Sequence, residues 1–187
     1  MTTTAPTTLE QTTGTWTIDP SHTRIGFSAK HAMVATVRGQ FAEFSGALTL
    51  DGSAPEQSTA EVTILTSSIS TSSEDRDNHL RGGDFLDVET HPEVTFRSTG
   101  VRYTGGDDFV MLGDLAIRGT SRSVELRVEL EGLATDPFGN ERIGFSGETT
   151  ISRKDFGLTW NVALEAGGVL VSDKVKITLD VSAIKQS

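Results

Sequence analysis

The sequence contains no cysteine, so no disulfide, zinc–thiolate centre or thiol nucleophile can form, and redox compartment cannot be read from it. Basic residues are also scarce: 16 Lys and Arg stand against 26 Asp and Glu, a formal charge of -10. Displacing the counterions of phosphates needs a basic surface, which excludes nucleic acid as a partner and weighs against anionic membrane surfaces. No stretch approaches the roughly 18 consecutive apolar residues of a membrane span. The opening MTTTAPTTLEQTTGT has neither the basic nor the apolar region of a secretory signal, which makes the cytoplasm the expected location. Catalytic signatures are missing as well. There is no G-x-S-x-G nucleophile elbow and no dinucleotide or phosphate loop.

What the chain does have is alternation. A length of 187 residues suits one core. Residues 1–14 are Thr-rich with few apolar anchors and are expected to form a loose tail, leaving 15–187 as a single domain. Trp16, Ile25 with Phe27, residues 41–50, Val62 with Ile64, Val94 with Phe96, and residues 109–117 all read as strands with one dry face. The clearest case is SVELRVELEGL, where Val124, Leu126, Val128 and Leu130 oppose Glu125, Arg127, Glu129 and Glu131. Residues 143–151 and 175–181 complete the set. Trp16 is expected on an edge strand, residues 31–38 in an irregular connection, and a bulge near Gly46 where Phe41 and Phe44 fall out of phase.

Eight or nine one-sided strands, with no amphipathic helix long enough to cover a sheet, must bury their dry faces against one another. The expected fold is all-β, an antiparallel barrel of about eight strands. Gly46, Gly113 and Gly147 on the inward phase favour a hollow lumen over a filled one, although a filled core stays open as an alternative.

Residues 74–96, EDRDNHLRGGDFLDVETHPEVTF, are the one stretch without a strand period. Ser73 followed by acids predicts a short helix over residues 74–82, with His79 and Arg81 as C-terminal charges. Asp84 is expected to cap the DFLD turn. Leu80, Phe85 and Leu86 are expected to turn inward and close or line one end of the barrel. The acids do not fit a calcium loop, because the glycine and final Glu stand at the wrong offsets.

TWTIDPSHT, VRGQF, DRDNHLRGGDFLDVETHPEVTF, GDLAIRGTSRSVEL, DPFGNERIGF and ISRKDFGL occur in this order between Thr15 and Leu158. In these segments the chain resembles the YceI-like family of lipocalin-like, polyisoprenoid-binding proteins. The resemblance implies an extended antiparallel barrel whose interior holds a polyprenyl lipid or an isoprenoid quinone. It implies no cofactor beyond that ligand and leaves a homodimer open.

The candidate ligand-binding set is Ile25, Phe27, His31, Arg38, Val62, Ile64, Leu80, Phe85, Leu86, Phe96, Met111, Leu115, Ile117, Leu126 and Phe145, with Phe109 and Val128 on the same inward faces. His31 is read either as a head-group partner or as a structural histidine, and Arg38 either as a partner for phosphate or a quinone oxygen or as a surface residue. The inward strand faces carry no ionisable residue, so non-enzymatic binding, carriage or sequestration is expected. Two rivals remain: an enzyme using His31, His79 and Asp84 as acid and base, and a filled barrel acting as a stress or interaction protein.

Overall fold

The computed structural model describes residues 8–187. Its strands are β1 (Gly14–Ile18), β2 (Arg24–His31), β3 (Ala35–Phe41), β4 (Phe44–Leu50), β5 (Thr59–Leu65), β6 (Ile69–Ser70), β7 (Glu93–Gly105), β8 (Asp108–Ile117), β9 (Thr120–Thr135), β10 (Glu141–Ser152) and β11 (Lys174–Lys185). One α-helix, α1 (Glu74–Arg81), lies between β6 and β7.

Three pairs of strands act as broken halves of single wall strands. β1 pairs with β4 while β2 pairs with β3, and β4 pairs with β5 while β3 pairs with β6. The breaks fall where the backbone cannot continue a ladder, as at Pro20, which has no N–H to donate. With β7 to β11 unbroken, the walls form a closed eight-stranded antiparallel barrel. β11 closes it by pairing with β10 on one side and with both β2 and β1 on the other.

Closure removes the edge on which Trp16 was expected. Trp16 pairs with Leu48 and Lys185, is 1% exposed, and its indole N–H donates to the Thr12 carbonyl at 2.9 Å. Residues 31–38 also differ from the expected irregular connection. They form a hairpin, because Ala32 and Met33 take left-handed φ values of 50° and 66° and reverse the chain within a few residues. The phase break between Phe41 and Phe44 is the gap between β3 and β4.

Alternation holds along the long strands, with three interruptions. The pairing of β7 with β8 slips between Ser98 and Gly100 and again between Tyr103 and Gly105, and that of β9 with β10 slips at Gly144/Phe145, where Glu131 is the extra residue. Each bulge re-aims the residues beyond it, so Val101 is buried although it lies out of phase with Phe96.

Two of the inward glycines are not empty space. A Cβ at Gly113 would overlap the Phe96 ring, and one at Gly46 would lie 2.7 Å from Ile18 Cδ1. Each glycine makes room for a neighbour's bulk.

The two ends of the barrel differ. One carries the start of β1, the 51–58 loop, the β7–β8 and β9–β10 turns and the C-terminus. The other carries the β2–β3 hairpin, α1 with residues 82–92, the Arg118-Gly119 turn and residues 153–173. Phe44, Ile64, Val94, Leu115, Ile117, Ile151, Phe156 and Leu158 pack with Phe85 and Leu86 towards the helix end. Trp16, Leu48, Ala60, Leu130, Ile143 and Ala183 form a second cluster at the opposite end.

Candidate functional site

The helix end is a plug built by hydrogen bonds to main-chain carbonyls. Ser73 caps α1 by accepting from the Arg76 N–H. Asp77 is buried and accepts from the Thr71 N–H at 2.7 Å and the Thr71 hydroxyl at 2.6 Å, while the Arg76 guanidinium donates to the Thr71 hydroxyl and carbonyl at 2.7 Å each. Arg81 donates to the Ser67 and Ile69 carbonyls, and Arg118 donates to the Phe85 carbonyl at 2.7 Å. These bonds press Phe85 and Leu86 into the barrel, both 8% exposed, with Leu80 packed beside them.

Arg153 is the second fastening of this end. It is 3% exposed and donates to the carbonyls of Ser172, Leu158, Trp160 and Val171, so one side chain pins both flanks of the long connection between β10 and β11. Burial pulls its pKa below the ordinary arginine value, and the charge of Asp173 opposes that shift. Asp173 in turn accepts from the Ser152 hydroxyl at 2.7 Å, which holds its own pKa below the usual carboxylate value.

Asp84, expected to cap the DFLD turn, instead lies 2.9 Å from His79 Nε2. The imidazole meets Phe85 and Trp160 edge to face, with ring centroids 5.0 and 4.6 Å away. His79 and Asp84 are 41% and 51% exposed, so this pair faces solvent.

The other half of the barrel holds a cavity of about 130 Å³. Its wall is made by Ile18, Leu48, Ala60, Val62, Phe96, Val101, Phe109, Met111, Leu126, Val128, Leu130, Phe145, Leu179 and Val181, contributed by β1, β4, β5 and every strand from β7 to β11. Gly147 is the one inward glycine that opens onto it. The polar side chains among its lining residues are those of Thr12, just before β1, Asp51 and Ser58 on the 51–58 loop, and Ser146 on β10, whose hydroxyl donates to Glu131.

The rim is partly covered by a segment that the sequence suggested was a loose tail. Residues 1–7 of that tail lie outside the described residues, but Leu9–Thr12 form a 3-10 turn and Gly14 already belongs to β1. Leu9 and Thr12 line the cavity. The strap is held by the bond from Trp16 to the Thr12 carbonyl and by the Gly52 N–H, which donates to the Thr13 hydroxyl at 3.0 Å. A Cβ at Gly52 would overlap the Leu9 carbonyl, so only glycine lets the strap lie on this loop.

Of the candidate residues, Val62, Phe96, Met111, Leu126 and Phe145 line the cavity, as do Phe109 and Val128. Ile25, Ile64, Leu115, Ile117, Phe85 and Leu86 are buried in the plugged half, with Phe27 and Leu80 packed against them, and none of these lines the cavity. His31 and Arg38 are exposed on the β2–β3 hairpin and stand apart from it. The sequence reasoning missed Leu9, Thr12, Asp51, Val101 and Leu130, and also left Ile18, Leu48, Ala60, Leu179 and Val181 out of the candidate set. Val101 was hidden by the bulge, and Leu9 by the polar threonines around it.

The match to known proteins covers most of the described residues. A model of the YceI-like domain matches residues 16–183. The chain belongs to the YceI-like family. A UPF0312 protein of Pectobacterium carotovorum is 37% identical over 165 residues, covering 88% of this chain and 82% of its own. The solved Campylobacter jejuni YCEI protein is 30% identical, covers 84% of this chain and 90% of its own, and superposes with a TM-score of 0.73. A polyisoprenoid binding domain from Saccharophagus degradans shares the fold, with a TM-score of 0.68 at 14% identity over 91% of this chain and 98% of its own. In this YceI-like chain the six sequence segments divide by place. TWTIDPSHT and DPFGNERIGF meet near the cavity end through Asp19, Asp136 and Arg142. HLRGGDFLD and ISRKDFGL build the plug.

Proposed function

We propose that the protein binds the apolar tail of an isoprenoid amphiphile, a polyprenyl lipid or an isoprenoid quinone, without covalent chemistry, and so carries or sequesters it. The observation that carries this is the cavity itself, whose wall is almost entirely hydrocarbon. Membership of the family supports the same reading. The His79–Asp84 pair, the one acid–base constellation left from the enzymatic alternative, lies at the plugged end and away from the cavity.

The volume sharpens the ligand. A dry cavity of ~150 Å³ holds one benzene, so the lumen as it stands has room for roughly one isoprene unit. Burying its five carbons contributes about 4 kcal/mol before the cost of ordering the chain. A longer tail requires displacement of Leu9 at the mouth or of Phe96, whose ring lies over Gly113.

Organic extraction of the purified protein followed by mass spectrometry tests the proposal. A prenyl lipid or quinone is the expected extract, and saturable binding of added short-chain prenyl quinones is expected for emptied protein. Repeated empty extracts together with no such binding would sink it.

A further inference from the structure

On the lipid-binding reading the cavity wall would hold the tail and its mouth the head group, and the charge at that mouth is one-sided. Among the described residues no Lys or Arg lines the cavity, and Asp51 is the one charged residue that does. Asp51 Oδ1 accepts from the N–H groups of Ser53 and Ala54 at 3.0 Å each, which leaves Oδ2 without a protein donor among the described residues. The cations recorded at this end are already engaged. Arg142 pairs with Asp19 and Asp136 at 2.8 Å, and Lys185 pairs with Glu141 while lying over the Trp16 ring. Arg38, which the sequence offered as a phosphate partner, is exposed on β3 at the other end. Glu10 on the strap, Glu56 beside Pro55, and Asp107 with Asp108 at the β7–β8 turn add carboxylates to the same end, and none of them forms a salt bridge among the described residues.

We infer that the lumen selects its ligand by head-group charge: it takes prenyl amphiphiles with a neutral hydrogen-bond-donating or cationic head and rejects those with a phosphate or carboxylate head. The inference rests on the lipid-binding reading of the cavity. A ligand hydroxyl or ammonium at the mouth donates to Asp51 Oδ2. A phosphate there meets a carboxylate across a part-buried rim that no cation of the described residues lines, where like charges repel more strongly than in bulk water.

The test compares three probes with one tail, geraniol, geranylamine and geranyl monophosphate, titrated into delipidated full-length protein by calorimetry at low ionic strength. Geraniol and geranylamine are expected to bind at least about tenfold more tightly than geranyl monophosphate, and the gap should shrink in ~1 M salt as the rim charges are screened. In Asp51→Asn, which keeps an oxygen for Ser53 and Ala54, the amine-to-phosphate ratio should fall several-fold. Geranyl monophosphate binding as tightly as geraniol, or an unchanged ratio in Asp51→Asn, overturns the charge selection and leaves the lipid reading standing. Failure of all three probes to bind overturns both.

Discussion

The two ends of this barrel are closed by different means. At the plugged end, charged side chains serve the main chain of the 66–92 and 153–173 segments: Arg153, Arg81 and Arg118 donate to carbonyls, and Asp77 accepts from the Thr71 N–H. At the cavity end, closure depends on a single 3-10 turn resting on Gly52, held by two hydrogen bonds and the side chain of Leu9. Buried, fully satisfied polar networks are expensive to open, whereas a short strap is not. The barrel therefore has one heavily braced end and one lightly held end, and on the proposed lipid-binding reading ligand traffic is expected at the second.

The largest effects should come from breaking the heavily braced end. Arg153→Ala removes the donor shared by four carbonyls and leaves them in a site with little water. A loss of about 3 kcal/mol or more is expected, read as a lower urea midpoint with an unchanged slope. Phe85→Ala empties the centre of the plug and is expected to cost about 3 kcal/mol. If either variant kept wild-type stability but released ligand faster, the plugged end would be the gate and the contrast would be reversed.

Much of this contrast was legible beforehand, and what was not has physical causes. Strict alternation in residues 124–130 fixed the dry face of β9, and Ser73 with its following acids marked α1 to within a residue. The inward turn of Leu80, Phe85 and Leu86 was also legible, since they are the apolar residues of a charged segment. The location of the hollow was not. Inward glycines suggested space at Gly46 and Gly113, but Ile18 and Phe96 fill it, because periodicity reports which way a side chain points and not what a neighbour inserts above it. Arg153 looked like one more charge in SRKDFG, since nothing local distinguishes a buried arginine whose acceptors lie in a loop some 20 residues downstream. The strap was missed because its few apolar contacts gain their value only from a cavity formed by distant strands.

Effects at the lightly held end should be smaller in stability and larger in rate. Gly52→Val places a branched side chain where the Leu9 carbonyl now lies, so the strap must lift. A stability loss of only about 1 kcal/mol is expected, with dissociation of a bound prenyl probe several-fold faster in stopped-flow exchange. A rate equal to wild type would show that the strap lies over the mouth without governing passage through it.

The smallest effect at neutral pH, and one that appears only in acid, concerns the brace beside the mouth. Arg142 donates to Asp19 and Asp136 at 2.8 Å each. That guanidinium, followed by Ser21 and His22 at Asp19 and by Asn140 at Asp136, holds both carboxyls well below the usual carboxylate value. Their folded-state pKa values are thus lower than those of the unfolded chain, near 3.9. A depressed carboxyl contributes stability that is fully present above the unfolded value and is lost as pH falls through the folded one. Wild-type stability should consequently begin to fall below about pH 4 and continue downward, while Arg142→Ala, having lost the largest cause of the depression, should be less stable at pH 7 and show a shallower acid slope in urea titrations between about pH 4 and pH 2. Equal slopes in the two proteins would remove the brace from the stability of this end, leaving the strap and the Trp16 cluster to hold it.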